Sequence, residues 1–104
     1  MACQKITKEN FNELIVNGSK PVLLDFWAPW CVPCMQLGPT LEEIAEERKD
    51  ILVGKVNIDE EMELAQRYRV LSIPTLLVVK NGSDITARAV GFRNRKEILA
   101  MLDK

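Results

Sequence analysis

The amino-acid sequence predicts an α/β fold with a mixed five-stranded sheet and helices on both faces. Five apolar runs alternate with segments whose apolar residues recur at helical spacing. The helical segments between the first runs require crossover connections and parallel strands. The last two runs are separated by Asn81-Gly82, which is typical of a two-residue hairpin and therefore predicts antiparallel strands.

The first two strands are expected to enclose a helix. A short strand is predicted over residues 3–6, and a helix over residues 7–17 with Thr7 as its cap. Residues 22–28 give the clearest strand, because their continuous apolar character suits a strand that is covered on both faces.

The middle of the chain repeats this alternation. After Trp30 a helical pattern extends to about Arg48. Pro39 lies inside it and has no backbone N–H to donate, so a kink is expected there. Residues 51–58 are predicted to form the third strand, and Asp59 is predicted to cap a short helix.

The last elements are two strands and a helix. Residues 75–80 and 85–90 form the arms of the hairpin. Asn94 and Glu97 have the spacing of a capping box, which predicts the start of the final helix. The complete order is therefore β-α-β-α-β-α-β-β-α.

Composition limits the possible classes of protein. The 104 residues, 47% hydrophobic and 28% charged, are expected to form one globular domain over residues 1–104. Fourteen Lys and Arg face fifteen Asp and Glu, so bulk charge favours neither nucleic acid nor a membrane as a partner. The absence of His excludes Ser-His-Asp triads, Cys-His dyads and His-ligated metals.

The sequence also carries expectations about location. No apolar run approaches the length of a membrane span, and the first residues lack the apolar core of a secretory signal. Three Cys are too few for a disulfide-stapled secreted scaffold. We therefore expect a cytoplasmic protein.

Cys31 and Cys34 are the candidate reactive residues. They stand where a strand ends and a helix begins, and positions i and i+3 there lie close enough for a disulfide. Cys31 is expected at the exposed helix start, where the positive end of the helix dipole favours the nucleophilic thiolate. Cys34, one turn deeper, is expected to be buried and to resolve the mixed disulfide.

Two other interpretations of the pair stay open at this point. Cys-x-x-Cys is also half of a zinc site, although Cys3 is the only further Cys and no His can complete four ligands. The pair can also be two unreactive core cysteines, against which the helix-start position and the neighbouring Trp30 argue. No metal and no bound cofactor are expected, and Cys3 is interpreted as structural.

The residues around the pair resemble the thioredoxin family. Trp-Cys-Val-Pro-Cys, after Asp-Phe-Trp-Ala-Pro, is similar to the family's usual Trp-Cys-Gly-Pro-Cys. The resemblance extends over essentially the whole chain and includes these further positions in register: Asp25, Trp27, Pro39, Asp59, Ile73-Pro74-Thr75, Gly82 and Gly91. It implies the thioredoxin fold, a mixed sheet flanked by four helices, in agreement with the order of elements.

The resemblance implies a thiol-disulfide oxidoreductase that binds no cofactor. Reduced Cys31 would attack a disulfide of a client protein, and Cys34 would release the reduced client. A thioredoxin reductase drawing on NADPH or ferredoxin would then reduce the Cys31–Cys34 bridge, and a monomer is the expected state. Three alternatives stay open: a specialised relative with altered potential or reductase partner, a redox-independent binding module, and a metal-binding protein.

Asp25 and Lys55 are the predicted supporting residues. Asp25 lies in an apolar strand, where a carboxylate is costly unless it is protonated or paired. Burial should raise its pKa, so that it can accept a proton from Cys34. The resemblance implies the same role, and Lys55 matches the lysine that the family has near this acid.

A surface for binding clients is expected around Cys31. Seven residues are assigned to this client surface: Trp30, Val32, Pro33, Ile73, Pro74, Gly91 and Phe92. In thioredoxins the peptide bond before the equivalent of Pro74 is cis, which would leave the backbone of Ile73 free to pair with a client strand. Gly91 would leave room for that strand.

Four residues depart from the usual family pattern. Val32 replaces Gly between the cysteines, and Met35 replaces the Lys common after the second Cys. Phe92 and Arg93 follow Gly91, where smaller or uncharged residues are common. We expect these changes to leave the exchange chemistry intact. They make the reduction potential, the reductase partner and the range of clients the properties in which this protein can differ from the family.

Overall fold

The computed structural model describes residues 2–104 and contains five strands and four helices within them. The strands are β1 (Gln4–Lys5), β2 (Val22–Trp27), β3 (Leu52–Asn57), β4 (Thr75–Lys80) and β5 (Asp84–Val90). The helices are a π-helix (Asn12–Val16), α1 (Val32–Glu47), α2 (Met62–Arg67) and α3 (Arg95–Leu102). None of the helices in this part of the chain has the length and apolar character needed to cross a membrane.

The five strands form one mixed sheet in the order β1-β3-β2-β4-β5. β3 runs parallel to both β1 and β2, whereas β4 is antiparallel to β2 and β5 is antiparallel to β4. This arrangement confirms the predicted mixed sheet, with β2 at its centre.

Apolar clusters cover both faces of the sheet. Leu23 of β2 packs in one cluster with Ile44 of α1 and Ile98 of α3. Leu24, the next residue, packs in the other cluster with Ile15 of the π-helix. Because side chains of a strand point alternately to opposite faces, β2 is buried from both sides, and helices lie on both faces as predicted.

The first helix differs from its prediction. Thr7 and Asn10 form a reciprocal turn, in which the backbone N–H of Thr7 donates to Asn10 Oδ1 (2.8 Å) and that of Asn10 donates to Thr7 Oγ1 (3.3 Å). These are the hydrogen bonds of a helix cap, as predicted for Thr7, but the helix itself begins at Asn12, so its predicted start was too early.

The predicted cap of α2 was also wrong. The helix begins at Met62, and its N-cap residue, Glu61, makes no capping hydrogen bond through its side chain. The carboxylate of Asp59 instead accepts a hydrogen bond from Trp30 Nε1 at 3.0 Å. The side chain of Asp59 therefore bonds to Trp30, which is distant in the sequence, and does not cap α2.

Two local signals in the second half are confirmed. The predicted hairpin is present, and Asn81 and Gly82 both have positive φ, 57° and 80°. Its loop has three residues rather than two, because Lys80 pairs with Asp84. Asn94 Oδ1 accepts from the backbone of Glu97 (2.9 Å), and Glu97 Oε1 accepts from the backbone of Asn94 (3.0 Å). This reciprocal capping box begins α3.

We expect Asn94→Ala to lower the free energy of unfolding by about 1 kcal/mol, because the N–H of Glu97 loses its acceptor. Asn94→Ser is the matched control, since a Ser cap with Glu three residues later preserves the box. Urea denaturation of the three proteins measures the difference. An equal decrease in the free energy of unfolding in both variants would contradict a capping role for Asn94.

Candidate active site

Cys31 and Cys34 are joined by a disulfide at the junction of β2 and α1, with their Cα atoms 5.2 Å apart. Cys31 is the N-cap of α1 and has an extended backbone, φ −94° and ψ 109°. Pro33 lies in the first turn, where its missing N–H leaves no hydrogen bond unmade. The local sequence thus places both sulfurs on one turn of the helix.

The two cysteines differ in burial less than the sequence predicted. Cys31 is 6% exposed and Cys34 is 1% exposed, so the prediction of an exposed Cys31 was wrong, although Cys31 is the more accessible of the two. Both pack in a small cluster with Ala28, against which Trp27 and Ile73 lie. This burial comes partly from residues outside the motif, such as Ile73, which the motif alone does not indicate.

Cys31 Sγ accepts a hydrogen bond from the backbone N–H of Cys34 at 3.3 Å. The same sulfur stands at the N-terminus of a 16-residue helix, where unpaired N–H groups create a positive potential. Both effects stabilise negative charge on Cys31 Sγ once the disulfide is reduced.

Asp25 is the only fully buried carboxylate among residues 2–104, with 0% exposure. Neither of its carboxyl oxygens accepts a hydrogen bond from any of the described residues. Burial raises the pKa of Asp25 to about 7, and attraction to Lys55 offsets part of that rise. The predicted upward shift is thus supported by the structure, and the group titrates near neutral pH.

Lys55 lies opposite Asp25 in the register of the parallel β2–β3 pair. Its ammonium lies 4.5 Å from the centroid of the Trp27 ring and forms no ion pair with Asp25 within the described residues. Lys55 therefore acts on Asp25 through space. A groove of about 310 Å³ is lined in part by Lys55 and Cys34.

The residues of the predicted client surface occupy two sides of the cysteine pair. Trp30 (66% exposed) and Val32 (67%) flank Cys31 in the chain, together with the exposed Pro33. Ile73 packs against the pair, and the Ile73–Pro74 peptide bond is cis, as the resemblance implied.

The other side of this surface comes from the end of β5. The N–H of Gly91 donates to the carbonyl oxygen of Pro74 at 2.8 Å, which holds the two loops together. Gly91 has a φ of 95°, a conformation that favours glycine. Phe92, the next residue, is exposed.

Two polar contacts beside the pair had no signal in the sequence. Besides the Trp30–Asp59 bond, Glu42 of α1 accepts hydrogen bonds from the backbone N–H groups of Ala2 (2.7 Å) and Cys3 (3.3 Å). Burial, and secondly a hydrogen bond to Glu42, raises the pKa of Cys3 to about 12, so its thiol stays protonated. This supports the structural interpretation of Cys3.

Comparison with known proteins gives one consistent result. A family model described as thioredoxin matches residues 2–104. A thioredoxin of Chlamydia pneumoniae is 42% identical over 99 residues, which cover 95% of this chain and 94% of that protein. A thioredoxin of Bacillus subtilis strain 168 is 42% identical over 105 residues, covering 100% and 98%. A thioredoxin of Staphylococcus haemolyticus is 43% identical over 107 residues, also covering 100% and 98%.

We expect Asp25→Asn to stabilise the oxidised protein above pH 7. The folded-state pKa of Asp25 is about 7, against 3.8 for the free group, so the folded protein retains a proton that the unfolded chain loses. The contribution of Asp25 to stability is therefore complete below about pH 4 and is lost as the pH rises to about 7. The loss is about 4 kcal/mol, because the folded and unfolded pKa values differ by roughly three.

Denaturant unfolding of wild type and Asp25→Asn between about pH 4 and pH 8 measures this difference, which should grow with pH and then level off. Asp84→Asn, which removes an exposed carboxylate in the β4–β5 hairpin, is the matched control and should show no such growth. A difference between wild type and Asp25→Asn that does not change with pH would show that Asp25 is not a buried titrating group.

Proposed function

Because this chain belongs to the thioredoxin family, we propose that Cys31 and Cys34 carry out its dithiol–disulfide exchange. The protein is a protein-disulfide oxidoreductase, as its relatives are. The observation that supports the assignment of these two residues is the disulfide they form at the start of α1, which follows the strand that holds the buried carboxylate of Asp25.

In the first step, the thiolate of reduced Cys31 attacks one sulfur of a client disulfide. A bond forms between Cys31 Sγ and that sulfur, the client disulfide breaks, and the second client sulfur leaves as a thiolate that takes up a proton. The hydrogen bond from the N–H of Cys34 and the N-terminus of α1 support Cys31 as the nucleophile, since both favour its thiolate.

In the second step, Cys34 attacks Cys31 Sγ in the mixed disulfide. The Cys31–Cys34 bond forms, the bond from Cys31 to the client breaks, and the client leaves with its second thiol. Two electrons have then passed from the cysteine pair to the client. We assign the proton of Cys34 to the carboxylate of Asp25, because an acceptor with a pKa near the ambient pH is effective in both directions.

Lys55 is a positioning residue in this scheme. It adds positive potential beside Asp25 without an ion pair, so the carboxylate forms more readily than burial alone would allow. The groove beside Lys55 and Cys34 supports a route by which water can carry the proton to solvent.

The oxidised pair has to be reduced again by a partner. The family acts on disulfide-containing client proteins, is served by a reductase and needs no bound cofactor. For this chain the reductase is a thioredoxin reductase linked to NADPH or ferredoxin, and the chain acts as a monomer. A cytoplasmic location suits the free thiol of Cys3 and a reducing activity, since thiols persist in reducing compartments.

Clients would bind across the seven residues of the client surface. Ile73 packs against the cysteine pair, and Trp30, Val32 and Phe92 offer exposed apolar area on both sides of it. A segment held by its backbone beside Ile73 would present its disulfide to Cys31 with little dependence on its side chains. Exposed Val32 and Met35 are the features that would favour a specialised range of clients or reductases.

We expect Cys31→Ser to abolish disulfide reduction, because no nucleophile remains. We expect Cys34→Ser to trap clients as mixed disulfides with Cys31, because the second step is blocked. Insulin reduction measures the first result, and non-reducing electrophoresis with mass spectrometry measures the second. Cys3→Ser is the matched control and should retain turnover. Activity in Cys31→Ser would instead favour a redox-independent binding module.

We expect the second step to slow as the pH falls below about 7, because protonated Asp25 cannot accept the proton of Cys34. A mixed disulfide formed in acid and jumped to higher pH releases its peptide at a rate that stopped-flow fluorescence can follow. The release rate plotted against pH should show an inflection near pH 7 for wild type and for Asp84→Asn. Asp25→Asn should release the peptide more slowly and should show no inflection. An unchanged inflection in Asp25→Asn would assign the titration to another group.

A further inference from the structure

The guanidinium of Arg93 lies over Gly91. A Cβ placed on Gly91 would lie 3.7 Å from Arg93 Nη1, and this nitrogen donates to the carbonyl oxygen of the neighbouring Phe92 at 3.0 Å. The side chain therefore folds back along its own loop and occupies the space that the glycine leaves open.

Arg93 forms no ion pair with a carboxylate of residues 2–104. Within residues 2–104 the ion pairs involve Lys5, Arg48 and Arg95 and do not include Arg93. Arg95, two residues later, is paired with both Glu43 and Glu47 of α1. Arg93 is half-buried and uses one hydrogen bond of the five that a guanidinium can donate.

The position of Arg93 relates it to the client surface. Gly91 is bonded to Pro74, and Ile73, the preceding residue, packs against Cys31 and Cys34. A client segment beside Ile73 and Gly91 would thus either contact the guanidinium or displace it. The opposite side of the surface carries negative charge, because Trp30 is bonded to Asp59.

We propose that Arg93 determines client specificity by binding a carboxylate of the client segment, an Asp or Glu close to the cysteine that Cys31 attacks. The inference rests on the proposed function and names the class of substrate that the site prefers. Asp59 would repel the same carboxylate from the Trp30 side, so the two charges also orient the segment with its acidic residue towards Gly91.

A carboxylate accepts two parallel hydrogen bonds from a guanidinium, and Arg93 has the free donors to make them. The preference acts on binding, so it appears in KM and in the rate of association and decreases with salt. For a partly exposed pair the effect on kcat/KM is up to about fivefold at low salt.

The test uses short synthetic peptides that contain one disulfide and differ at a single position. Glu, Gln or Lys is placed in turn at each position on both sides of the attacked cysteine, and kcat/KM for reduction is measured at low and high salt. We expect wild type to prefer Glu over Gln at one or two of these positions through KM. Arg93→Gln should remove the preference, and Arg93→Glu should replace it with a preference for Lys.

Lys49→Gln is the matched control, because it removes one positive charge from an exposed turn after α1 and should leave the preference intact. Equal rates for Glu and Gln peptides in wild type, or an unchanged preference in Arg93→Gln, would overturn the assignment of Arg93. A wild-type protein that reduces none of the peptides or insulin would overturn the proposed function itself. Circular dichroism of each variant establishes that it is folded.

Discussion

The central constraint of this structure is that β2 has to be buried on both faces and both edges. β3 and β4 pair with its edges, while α1 and α3 cover one face and the π-helix and α2 cover the other. Cys31 follows the end of β2 closely in the chain, so the buried strand fixes the position of the cysteine pair. A site on a rigid element is held more accurately than one on a free loop.

The same burial explains why Asp25 is both costly and useful. A carboxylate in the middle of β2 is fully buried, and no group of the described residues donates a hydrogen bond to it, so its charged form is disfavoured and its pKa rises to about 7. An apolar residue there would make the fold more stable at neutral pH. In the proposed mechanism this acid accepts the proton of Cys34, which would be an exchange of stability for activity.

The sequence predicted those features whose cause is local. The capping box of Asn94, the hairpin at Asn81-Gly82 and the two-sided burial of β2 depend on neighbouring residues or on apolar periodicity. The cap assigned to Asp59 failed because the partner of its side chain is the indole of Trp30, which is distant in the sequence. The exposure of Cys31 was misjudged for the same reason, since Ile73 covers it from 42 residues along the chain.

Exchange chemistry and client choice are carried by different parts of this site. The chemistry needs two sulfurs, a helix start and a proton acceptor, all supplied by β2 and α1 and largely buried. The exposed residues of the client surface come from the first turn of α1 and from neighbouring loops, and they contribute no reacting atom. Substitutions such as Val32, Phe92 and Arg93 can therefore alter which disulfides approach Cys31 without altering what happens to them. Departures from a family pattern at such positions are best interpreted as changes in binding, because differential affinity is what separates one client from another.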